Sequence, residues 1–273
     1  FSFRGAVIAG QTLSREKGML QKFLQLPCIL LFSLLSVWPA ITAPLNEKKA
    51  WLIIGEKTPA PTLTLSEFNG ISMIAITPSA NEKFDVPIVS ARKAIKIIKQ
   101  ALSLIEINSP FSKSQIERLK KNGPVIIVYD PRYPGKLSSM SSVKIALFSP
   151  FHYNRRSSGT KGHNFLVIVS RHGVKWPIKE LAAVMVHELV GHGIQHLNDS
   201  WGKMRLIDME CEAWLYEEMA YQNLKMDKFS NEMIDFKKQL EKQCDSFLRH
   251  LRSHNLTGAT LWNNLNPDVP KLL

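Results

Sequence analysis

The stretch from Leu181 to Tyr221 constrains this chain more than any other. It opens as LAAVMVHELVGHGIQHL and closes as IDMECEAWLYEEMAY. Both halves have helical apolar spacing and both carry residue types that bind metals, so two ligand-bearing helices should lie one short loop apart. The first half contains H-E-x-x-G-H, with His187, Glu188, Gly191 and His192. In the common H-E-x-x-H helix the two histidines are four apart and share a face. Here Gly191 takes the second histidine's slot and His192 follows it. On a regular α-helix that spacing leaves the rings roughly 140° apart, too far round to share an ion. A one-residue π-bulge beside Gly191 would bring them together, and such bulges are frequent at functional sites.

A catalytic zinc takes three protein ligands and keeps one position open. With two histidines in place, Glu210 is the first candidate for the third, with Glu212 and Glu217 behind it. Glu210, Ala213, Trp214, Glu217 and Tyr221 fall on one helical face, and Asp208 could cap that helix. A rival set, Glu188, His192 and His196, has its members four apart along one stripe. Glu188 is otherwise placed to move a proton between water and a leaving amine. Cys211 and Cys244 leave an even count after residue 43, which permits one disulfide in an oxidising compartment.

This arrangement resembles the zincin metallopeptidases. H-E-L-V-G-H is most similar to the dipeptidyl-peptidase III family, which combines HExxGH with a later glutamate in an E-E-C-R-A-E segment. The matching pieces here are His187, Glu188 and His192, then Glu210-Cys211-Glu212-Ala213. The resemblance implies His187, His192 and Glu210 as zinc ligands and Glu188 as the catalytic carboxylate. It covers these two segments, and Met209 stands where the family's second motif has its first glutamate. A compact zincin with the same motif variant is the expectation. By the same resemblance, the strand ahead of the metal helix, within Asn164 to Gly173, should form the edge of a substrate cleft.

The rest of the chain reads as support. Residues 1–43 have the layout of an export signal that starts at Met19, with Lys22, an apolar run through Trp38, and small residues Ala40, Thr42 and Ala43. An uncleaved signal that anchors the chain to a membrane is the alternative. Residues 44–273 then form a single domain. Residues 44–80 read as strands and turns, with Trp51–Ile54 as a short apolar run and Asn69-Gly70 as a hairpin signal. A helix is expected over 90–107, with Ile95, Ile98, Leu102 and Ile105 as its core stripe and Lys93, Lys96 and Lys99 in water. A shorter one is expected over 113–121, boxed by Ser112 and Gln115 and stopped at Gly123. Strands are expected at 125–129, 143–148 and 165–169, the last reaching towards Val174. An amphipathic helix over 230–252 packs on the back.

The formal net charge is +12, of which residues 1–43 carry +3. The lysines are dispersed and no arginine–aromatic array is present, so nucleic-acid binding is not expected. A solvated basic surface is the simplest reading, with cell-envelope association open. The basic loop 151–163 offers Arg155 and Arg156 for a substrate carboxylate, and His172 or Tyr216 could face a developing oxyanion.

These readings converge on an α+β domain: a small mixed sheet packed on an active-site helix, a glutamate helix and a C-terminal helix. The expected function is an exported zinc-dependent peptidase that acts on peptides or proteins. The alternatives are a zinc-stabilised peptide-binding or structural protein without catalysis, and a cell-wall peptide amidase.

Overall fold

The structure, a computed structural model, describes residues 45–54, 62–135, 144–149, 163–201, 203–227 and 229–253. The fold is mixed α+β, built on a five-stranded sheet of order β1-β2-β3-β5-β4. β1 (Thr62–Phe68) and β2 (Ile71–Thr77) form the hairpin that Asn69-Gly70 signals. Both turn residues have positive φ, 46° and 78°, which suits the tight primed turns of hairpins. β2, β3 (Val125–Tyr129) and β5 (Phe165–Val169) run parallel. β4 (Ala146–Phe148) pairs antiparallel with β5 and closes that side of the sheet.

Every residue of β3 and β5 is buried, as expected for strands covered on both faces. Odd-numbered side chains such as Met73, Ile127 and Val167 enter the larger core, and even-numbered ones such as Ile74, Val128 and Ile168 enter the smaller. The smaller core is covered by α1 (Glu47–Ile54), which buries Ala50 and Ile54. Here the structure corrects the reading of Trp51–Ile54 as part of a strand region. Asn46 accepts the Lys49 N–H at 2.9 Å and starts a helix whose period puts Ala50 and Ile54 on one face.

The larger core is covered by α2 (Ala91–Asn108), α3 (Pro110–Asn122), α4 (Ile178–Val186) and α6 (Leu206–Asn223). α2 buries the predicted isoleucine and leucine stripe. α3 starts three residues earlier than expected, with Pro110 in its first turn. Ser112 bonds the Ser109 hydroxyl at 2.7 Å instead of forming a capping box. The strand at 165–169 does not extend to Val174, because the chain turns at Ser170 into one 3₁₀ turn at Gly173–Lys175. β5 is also interior to the sheet, so the edge beside the metal-binding helix is β4.

α7 (Asn231–Ser253) packs on α6 through Met233, Phe236 and Leu240, and a disulfide joins Cys211 to Cys244. The expected export signal and the loop arginines Arg155 and Arg156 lie outside the described residues. Among the described residues, no helix is long and apolar enough to cross a membrane.

Candidate metal centre

α4 is buried from Glu180 to Val186 and runs without interruption into a π-turn at His187–His192, followed by the short helix α5 (Gly193–Leu197). The wider π-turn supplies the extra residue that H-E-x-x-G-H requires. It closes the angular gap between two histidines five positions apart and leaves their ring centroids 4.9 Å apart. Both Nε2 atoms face Glu210 on α6. His187 lies 3.5 Å from one carboxylate oxygen, and His192 lies 3.4 Å from the other.

Gly191 is explained by packing. A Cβ added there would stand 2.6 Å from Ala213 Cβ and 2.8 Å from Ala213 Cα. The glycine therefore lets the π-turn press against the backbone of α6, one turn beyond Glu210. That close approach brings the third carboxylate within reach of the two histidines.

Each histidine also has a polar side chain behind its Nδ1. His192 Nδ1 is 2.9 Å from Gln195 Oε1. The Gln195 amide donates to Met209 O at 2.8 Å and to Glu212 Oε2 at 2.9 Å, tying α5 to α6. His187 Nδ1 is 3.2 Å from Glu217 Oε2, whose other oxygen accepts the Tyr221 hydroxyl at 3.0 Å. The Gln195 contact fixes the orientation of the His192 ring and leaves its Nε2 for an ion, while the Glu217 carboxylate stands beside His187 Nδ1 at ion-pair distance without a hydrogen bond. Glu212 and Glu217, weighed in the sequence as third ligands, thus stand one layer out. Gln195 was not legible as a site residue, although its spacing from His192 would put the two on one helical face; Tyr221 was read on the face of Glu210 and Glu217, but not as the donor to Glu217.

The electrostatics follow from burial and contact. His187, Glu188, His192, Glu210, Glu212 and Glu217 are each at most 7% exposed. Burial opposes charge on His187 and His192, but nearby carboxylates, Glu210 first, outweigh it and hold both imidazoles above their ordinary value. Burial likewise opposes the Glu210 carboxylate, and the two histidines overcome it, drawing the group down to about 2. Burial raises Glu188 and Glu212.

His187, His192 and Glu210 offer ligand atoms that all lie within 4.8 Å of one another, a set that could hold a metal ion. Three buried atoms of these residues, His187 Nδ1, His187 Nε2 and Glu210 Oε2, have no hydrogen-bond partner. Donors each about 2.1 Å from a tetrahedral ion stand about 3.4 Å apart. The observed nitrogen–oxygen separations, 3.5 Å from His187 to one oxygen of Glu210 and 3.4 Å from His192 to the other, are of that size, and with one donor from each residue within 4.8 Å of the others the residues fit a metal ion.

Glu188 lies in the same π-turn. Its Oε2 accepts the backbone N–H of Phe148 on the edge strand β4 at 2.6 Å. The neighbouring Ser149 N–H bonds β5. The Phe148 N–H therefore points away from β5, and the glutamate occupies this donor on the outer side of β4.

The rival set does not assemble. His196 packs among His163, Phe165, Phe148 and Trp201, with ring centroids 5.0 to 6.1 Å away. Burial, aided by His163, pulls it down to about 4. The two suggested oxyanion donors have other surroundings. His172 faces Asp85 at 3.7 Å, and Tyr216 is buried against Phe111 with centroids 5.8 Å apart. Asp208 does not cap α6; Arg205 is the N-cap, and its side chain bonds the Asp208 carboxylate twice at 2.7 Å.

No family model, curated protein or solved structure matches this chain.

Proposed function

We propose that this chain is an exported zinc-dependent peptidase of zincin type. The observation that carries the reading is the π-turn. It brings His187 and His192 to Glu210 and keeps Glu188 in the same turn, anchored to the sheet edge. Two histidines and a glutamate form a donor set used by catalytic zinc.

His187, His192 and Glu210 hold the ion. Zinc, when bound, supplies Lewis acidity towards water and the scissile carbonyl. Glu188 takes a proton from the attacking water and passes it to the departing amine. Its burial, which raises its proton affinity, suits it to both roles. Gln195 and Glu217 keep the two imidazoles aimed. An extended substrate would pair with the side of β4 that faces away from β5, where Glu188 would release the Phe148 N–H that it accepts from in this structure. The buried disulfide supports an oxidising compartment and hence export.

The burial of all four groups also favours a second reading, in which the ion only ties the π-turn to α6. A structural site does not need Glu188. Glu188→Gln separates the two: a peptidase keeps about one zinc per chain and loses cleavage of a peptide library. Cleavage at the wild-type rate would overturn the general-base role. A wild-type protein that holds zinc and cleaves nothing would leave the structural reading standing.

A further inference from the structure

A groove of about 770 Å³ runs along α2, on a part of the surface that the metal centre does not use. Its floor is apolar, formed by Ile95, Leu104 and Phe68, with Ile178 at the start of α4 closing one side. Its rim carries Arg92, Lys96 and Lys99, and no acidic residue lines it. None of the three cations forms a hydrogen bond or ion pair with another described residue, whereas Lys120 and Arg132 are paired. Gln100 and Ser103 add polar groups along the same wall.

The spacing follows from the helix. Arg92, Lys96, Lys99 and Ser103 recur at intervals of four, three and four residues, so they form one stripe. From Arg92 to Leu104 the groove spans about 18 Å of helix at 1.5 Å per residue. An extended peptide of about five or six residues covers that length. The apolar groups are recessed: Ile95 is 8% exposed and the other three are half-buried. No apolar side chain of the groove projects as it would to enter a bilayer, and the floor has no run of aromatic rings on which bases could stack.

The geometry points to a docking groove for an acidic peptide segment, one whose carboxylates meet Arg92, Lys96 and Lys99 while an apolar side chain drops onto Ile95 and Leu104. Three unpartnered cations around an apolar floor are complementary to that occupant. The site uses neither the metal ligands nor Glu188, so it stands or falls independently of the peptidase reading.

The test is fluorescence anisotropy of the full chain with two labelled six-residue peptides, one alternating Glu and Leu, the other alternating Lys and Leu. Glu188→Gln protein is used so that no peptide is cut. The acidic peptide should bind and the basic one should not. Arg92→Glu with Lys96→Glu and Lys99→Glu should weaken binding by about tenfold or more, the combined effect of three screened pairs. Those side chains are on the surface, and an unchanged melting curve confirms that the variant folds. Leu104→Ala, which removes part of the floor, should weaken binding without changing its salt dependence. Equal affinity for both peptides, or no loss on charge reversal, would overturn the proposal. So would anionic phospholipid vesicles that sediment the wild type but not the triple variant, with no peptide bound, since that result assigns the cations to a membrane surface.

Discussion

At the scale of single residues, the centre depends on one missing side chain and two supporting ones. Gly191 has no room for a Cβ, since Ala213 atoms would lie 2.6 and 2.8 Å away. Gly191→Ala must push the π-turn off α6, at a cost of about 1 to 3 kcal/mol for overpacking. Its denaturant midpoint should fall, and its zinc affinity should fall with it as Glu210 is displaced. A stable variant with unchanged affinity would show that the contact has slack. Gln195 and Glu217 act through the histidines they hold. Gln195→Leu and Glu217→Gln should each lower zinc affinity by about 10- to 100-fold in a chelator competition. Protons compete with metal here as well. His187 and His192 are raised above their ordinary value of 6.5, so metal must displace protons from them near neutrality. Affinity should therefore climb as pH rises above that value, and calorimetry in buffers of different ionisation enthalpy should register proton release.

At the scale of elements, α6 is the member that must be held still, because it carries Glu210, Glu212, Glu217 and Tyr221. Its contacts include the Gln195 amide on its N-terminal side, the Cys211–Cys244 bridge to α7 and a bond from Asn223 to Ser109 at its far end. Cys211 adjoins Glu210 in the chain, so the bridge fixes the helix beside the third ligand. It spans 33 residues, and its removal should cost about 3 to 4 kcal/mol by loop entropy. The double variant Cys211→Ser, Cys244→Ser should unfold at lower denaturant and bind zinc less tightly. Unchanged zinc affinity in a still-folded variant would show that packing of α7 alone suffices.

At the scale of the whole molecule, metal binding and stability are linked. Without an ion, the raised histidines stabilise the fold fully below 6.5, and that contribution is lost as pH rises through their folded values. Glu210, lowered to about 2, contributes stability that is present above 4.5 and lost as pH falls through 2. The contributions of these three groups are thus full together between about 4.5 and 6.5. The raised Glu188 and Glu212, whose stabilisation fades as pH rises above 4.5, draw the optimum of the metal-free protein towards the lower part of that window. Zinc should move that optimum upward and raise the melting temperature at neutral pH, because it replaces the protons on the imidazoles. Coincident melting curves with and without zinc across pH 5 to 8 would refute the linkage.

The local devices were legible in the chain. The Asn69-Gly70 hairpin, the α2 stripe and the helical frame of α6 depend on short-range backbone preference and apolar period, which sequence carries directly. The need for a π-bulge between His187 and His192 was legible too, because five-residue spacing on a regular helix separates the rings. Other features depended on contacts between distant segments. Packing of Ala50 and Ile54 in the smaller core goes with α1 where an apolar run had read as strand, and sheet order placed β5 inside and β4 at the edge. Gln195 and Tyr221 joined the centre only because α5 and α6 meet there. Gly191 is the clearest division: its spacing marked where the helix had to widen, but the reason no larger residue fits is Ala213 on another helix.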